Sequence, residues 1–201
     1  PASLCAGDKL FSTKLSEGWI AGYDPSTKEM MAFSFPTDVM PYAGIWIDQG
    51  GHRGYQQMAL EATNGVGDSI VDCVEKFKKY STLKPGESLE FDIWTSLVKG
   101  IATVQSISLG GTFMQERIKL ENGKIAGAVI APLNGKIVVQ YVPVSEGLSL
   151  VSQTVAEYDC APDKLVRLDV SAVLPGVYSV KVLDGYGIVA EEIASFNSIA
   201  I

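Results

Sequence analysis

The sequence predicts a mainly β protein in two parts, on three observations. Short apolar or alternating runs, each bounded by turn residues, recur along the chain. Gly (20 residues) and Pro (9 residues) punctuate the 201 positions too often for long helices. The texture also changes near 98–103, with one helix signal before it and none after it. Residues 1–98 are therefore one part and 99–201 a second. The strand spacing of the second part reads as an immunoglobulin-like β-sandwich.

In the first part, 17–22 is a candidate strand. Asp24-Pro25-Ser26 makes a turn into the strand 29–35. The run 42–47 is apolar and aromatic, Gly50-Gly51-His52-Arg53-Gly54 is a loop, and 55–62 is a further strand ending at Thr63-Asn64-Gly65. Asp68 or Ser69 can cap a helix by accepting from a free backbone N–H of its first turn. Ile70, Val71, Val74 and Phe77 then share one face at helical spacing, and the helix should end near Tyr80. Leu83-Lys84-Pro85-Gly86-Glu87 is a turn. It feeds 88–94, where Leu89, Phe91 and Ile93 alternate with Glu90 and Asp92 as in a half-buried strand.

In the second part the candidate strands are 136–142, 148–157, 165–170 and 177–183. Asp184-Gly185 turns the chain into a last strand at 186–191.

Composition narrows the function classes. Hydrophobic residues make up 47%, enough for a sizeable core, and charged residues only 19% against a usual value of about 25%. A net charge of −7 and the lack of any basic run beyond Lys76-Phe77-Lys78-Lys79 disfavour nucleic acid as a partner. No segment reaches the roughly 18 apolar residues of a membrane span, so no membrane partner is expected. Cys5, Cys73 and Cys160 form no CxxC pair. With one histidine in the chain, no metal site or other cofactor is expected. Three scattered thiols lean toward a reducing, cytoplasmic compartment. The start at Pro1-Ala2-Ser3-Leu4 has no signal-peptide pattern. It fits initiator-Met removal, processing, or a cut inside a longer protein.

The stretch Met58-Ala59-Leu60-Glu61-Ala62-Thr63-Asn64-Gly65-Val66-Gly67-Asp68-Ser69, followed by Leu83-Lys84-Pro85-Gly86-Glu87-Ser88, resembles the late part of galactose mutarotase-like proteins, the aldose 1-epimerase relatives. Trp46-Ile47-Asp48-Gln49-Gly50-Gly51 fits the loop before that strand. The resemblance covers residues 17–98, the C-terminal half of the family domain. It implies part of an antiparallel β-supersandwich and a carbohydrate partner. It also implies Glu61 as the general base of sugar anomer interconversion. The family's acid histidine comes from an earlier part of the domain. Either another chain or segment supplies that half, or the chain does not perform the family reaction alone.

Chemistry is compatible with this assignment. Mutarotation removes the anomeric O1 proton while the ring oxygen is protonated, and a strand-end carboxylate aimed into a concave sheet can serve as base. The alternative for Glu61 is a glutamate paired with a nearby Lys or Arg. His52 has the right intrinsic acidity for a general acid, but its loop position fits a sugar contact or a plain surface histidine. Arg53 can fork two hydrogen bonds to hydroxyls, Asn64 can add another, and Trp46 can stack on a pyranose face. Each of these residues also has an ordinary structural reading. Two functional expectations follow: a mutarotase-like isomerase, or a non-catalytic carbohydrate-binding or assembly module. An open sheet edge invites pairing, so a dimer, or a second chain completing the sheet, is expected.

Overall fold

A computed structural model describes residues 8–51, 53–143, 151–172 and 174–198. His52 and the residues 148–150 of one expected strand lie outside the described residues. The fold is mainly β. In the first half the strands are β1 (Asp8–Phe11), β2 (Trp19–Asp24), β3 (Glu29–Ser34), β4 (Tyr42–Gln49), β5 (Gln56–Thr63) and β6 (Trp94–Lys99). The second half contains β7 (Ser106–Ile107), β8 (Phe113–Glu121), β9 (Lys124–Ile130), β10 (Gly135–Pro143), β11 (Gln153–Cys160), β12 (Val166–Ser171), β13 (Gly176–Asp184) and β14 (Val189–Ser198). The chain divides into two compact units, residues 1–22 with 31–95, and residues 23–30 with 96–201.

The first unit carries an antiparallel sheet of order β1-β4-β5. Alternation sends Ala43 and Ala62 to one face, where they join a small core around Phe35 and Met40. The opposite face carries Lys9, Phe11, Gly44, Trp46 and Glu61. A further three-stranded sheet has the order β2-β3-β6.

The second unit is a β-sandwich of two four-stranded antiparallel sheets, ordered β12-β9-β8-β7 and β11-β10-β13-β14. β9 pairs with β12 across the intervening β10–β11 hairpin, a Greek-key connection. Inward residues of both sheets form one core. Ile137, Val139, Val180 and Val182 come from one sheet, and Ile125, Val129, Val166 and Leu168 from the other. Tyr141 and Tyr178 lie opposite each other in register with ring centroids 4.8 Å apart. Their hydroxyls donate to the carbonyls of Pro175 and Leu174, at 2.9 and 3.3 Å. At the end of edge strand β11, Cys160 is buried with its thiol donating to the Leu133 carbonyl at 3.8 Å, and burial pushes its thiol pKa above the ordinary value.

Two expectations need correction. The capped helix is present but short. Ser69 Oγ accepts from the Asp72 N–H at 3.0 Å, and the helical turn continues as a π-helix over Asp72–Phe77, stopping at Lys78 in the left-handed region (φ 53°). Its apolar residues Ile70, Val71, Val74 and Phe77 are exposed rather than packed inward. The turn at 84–87 forms as expected, with Glu87 N–H donating to the Lys84 carbonyl at 3.0 Å and Gly86 at φ 84°. No strand follows it. Residues 88–93 are irregular and exposed, and pairing starts only at Trp94. The alternation there is an amphipathic pattern without a pairing strand among the described residues.

One carboxylate fastens the last strand of the sandwich. Glu191 on β14 accepts from Ser108 Oγ at 2.8 Å, Gly110 N–H at 2.7 Å and Thr112 Oγ1 at 3.1 Å. The β7–β8 turn must wrap closely around it. A Cβ at Gly110 would sit 2.6 Å from the Glu191 carboxyl carbon. One at Gly111 (φ 86°) would sit 1.9 Å from Ser96 Oγ. Removing the carboxylate takes the acceptor from three donors, of which the Thr112 hydroxyl is fully buried while Ser108 Oγ keeps the Thr112 carbonyl at 3.4 Å. Glu191→Ala should therefore cost about 2–3 kcal/mol in chemical denaturation, with Glu191→Gln recovering part of it. A loss below about 0.5 kcal/mol would show that this clasp carries no stability.

Candidate functional site

Glu61 lies on β5 directly opposite Gly44 of the central strand, and Gly44 in turn lies opposite Phe11 of β1. The missing side chain at Gly44 is what lets the carboxylate lie across the sheet. A Cβ there would meet Glu61 Oε2 at 3.2 Å and the Phe11 ring at 3.4 Å. Across this gap Glu61 Oε2 reaches Lys9 Nζ at 3.0 Å, two strands away. The same ammonium lies 3.8 Å from Asp68 Oδ1 and 5.5 Å from the centre of the Phe11 ring. Both partners of the main pair are half-buried. Lys9 was not foreseen in the sequence, because its role depends on β1 crossing to pair with β4.

Trp46 shares this face. It lies opposite Lys9 on β1 and Ala59 on β5, which makes it a diagonal neighbour of Glu61. The structure therefore brings together Glu61, Lys9, Phe11 and Trp46: a carboxylate, an ammonium and two aromatic rings on one sheet surface.

The other candidates stand apart. Arg53 sits in the β4–β5 turn at φ 56°. The last hairpin pair before that turn is Gln49 with Gln56, five residues along from Gly44 and Glu61. That is about 17 Å at roughly 3.4 Å per residue, more than one monosaccharide spans. Asn64 is exposed just past the end of β5. There the Gly65 N–H donates to Thr63 Oγ1 at 3.2 Å. Asp48 is buried, and its Oδ1 accepts from the Gly51 N–H at 2.7 Å, which shapes the turn. Tyr42 lies at the far end of the hairpin from the loop, with Lys79 Nζ 5.4 Å from its ring centre.

Two open clefts of the second unit, of about 330 and 440 Å³, are lined by none of these residues. Among the described residues no cluster of three His, Cys, Asp or Glu side chains is placed to hold a metal ion, and no helix is long and apolar enough to cross a membrane.

The Glu61–Lys9 pair can be tested directly. A double-mutant cycle of Glu61→Gln and Lys9→Met should give a coupling of about 0.5–1 kcal/mol in unfolding free energy. A coupling indistinguishable from zero would mean that Glu61 is not held by Lys9. Comparisons of the chain with protein-family models, with curated proteins and with solved structures find no match.

Proposed function

We propose that the chain is a non-catalytic assembly module that associates through the segment 70–94. One observation carries this reading. Ten large apolar side chains between Ile70 and Trp94 are 40–82% exposed. Together these side chains leave a large amount of apolar surface open to water. Single exposed apolar residues are ordinary, but a run of ten over 25 positions is a surface that water favours covering. Sedimentation of the whole chain should give a mass above 21.5 kDa. The triple variant Leu89→Ser, Phe91→Ser, Ile93→Ser should weaken association about 30-fold or more, as for loss of a contact worth about 2 kcal/mol, with an unchanged circular dichroism spectrum. A wild-type chain that stays at 21.5 kDa at high concentration defeats the reading.

A second reading is favoured by the shared face of Glu61 and Trp46: a carbohydrate contact there, with mutarotase-like isomerisation at its most active. The Lys9 ammonium counts against base catalysis, since a sugar hydroxyl would have to displace it from the carboxylate. Anomer exchange of galactose and glucose, followed by NMR, separates the cases. Acceleration that is lost in Glu61→Gln supports an isomerase. Exchange at the buffer rate, with the Trp46 indole unshifted by sugar, removes both the catalytic and the binding version.

A further inference from the structure

Within the segment that carries the proposed assembly role, the stretch 76–93, which follows Asp72 and Glu75, is charged asymmetrically, and the asymmetry specifies a partner. Residues 76–84 contain Lys76, Lys78, Lys79 and Lys84 and no acid. Residues 85–93 contain Glu87, Glu90 and Asp92 and no base. The two halves meet at the Pro85-Gly86 turn, where Lys84 Nζ lies 3.9 Å from Glu87 Oε1. Lys78, Glu90 and Asp92 form no ion pair among the described residues. From Lys78 to Ile93 the chain has no strand or helix, and its apolar side chains are open to solvent.

Resting on the assembly reading, we infer that the partner is a second copy of this chain. The contact is two-fold and sets the arm before the 84–87 turn of each copy against the arm after that turn of the other. In a two-fold contact, where residue i of one copy meets j of the other, j of the first also meets i of the second. The basic arm of each copy then lies against the acidic arm of the other, with Lys78 and Lys79 facing Glu90 and Asp92. Setting like arms together would put lysine against lysine and acid against acid, which costs binding energy.

The two arms carry Phe77, Tyr80, Leu83, Leu89, Phe91 and Ile93, all exposed, which is apolar surface for such a contact to cover. The arrangement also gives the Leu89–Phe91–Ile93 alternation the neighbour that its own chain does not supply.

The test uses the full-length chain in sedimentation equilibrium, with four proteins: wild type, Lys78→Glu with Lys79→Glu, Glu90→Lys with Asp92→Lys, and all four changes together. All four positions are exposed, so folding should be unaffected, and thermal melts check this. The wild type should be a dimer. Each charge-reversed pair should weaken it by about tenfold or more, and the fourfold variant, in which the opposed charges are exchanged, should regain most of the wild-type affinity. A wild-type dimer indifferent to either pair overturns the two-fold pairing. So does a fourfold variant no tighter than the pairs, or an oligomer other than a dimer. In those cases a loss of association in the Leu89, Phe91 and Ile93 triple variant would leave the assembly reading standing. A wild-type monomer at every concentration removes both.

Discussion

Alternate side chains buried between paired antiparallel strands are the interaction on which this structure depends. A strand sends every second side chain to one face, and its backbone groups must be bonded by a neighbour. In the second unit both demands are met. β10 and β13 pair over nine residues, β9 and β12 over six, and the inward residues of the two sheets share one core. The Glu191 clasp then holds β14 against the β7–β8 turn, fixing an edge that backbone pairing secures on one side only. The first unit meets the same demands over a smaller core, and the stretch 78–93 meets neither.

Much of this was legible before the structure. Strands β3, β4, β5, β10, β12 and β13 have clean apolar runs between turn residues, and each formed within a residue or two of its expected limits. Asn122-Gly123 at the tip of the β8–β9 hairpin is a strong turn signal, with both residues at positive φ, but the strands on either side of it do not alternate cleanly. Two register shifts in β8 place Glu116 and Arg117 side by side where alternation would separate them, and β9 is built on Ala126-Gly127-Ala128. Both features blur the period of two. The opposite error came from the same rule. Leu89, Phe91 and Ile93 alternate as a strand should, but periodicity reports only what a segment can do once an edge is available. The apolar spacing at 70–77 likewise indicated a helix correctly and said nothing of whether a core lay beside it.

The candidate site shows the same limit in another form. The family resemblance points to Glu61 and residue type to Trp46, and the two share a face. What surrounds them could not be read locally. Lys9 is 52 positions from Glu61, and only the strand order β1-β4-β5, with a glycine at the crossing point, brings its ammonium to 3.0 Å. A carboxylate engaged in this way acts first as a tie between the outer strands of its sheet. Any ligand on that surface has to compete with the tie, which is why the exposed apolar segment carries the functional reading and the carboxylate does not.

The sealed sulfur of Cys160 offers a clock. It closes the end of an edge strand, out of reach of solvent, so an alkylating reagent can consume it only while β11 lifts away. Label located at Cys160, read apart from that on the more accessible Cys73, therefore reports how much of the time the sandwich rim stands open.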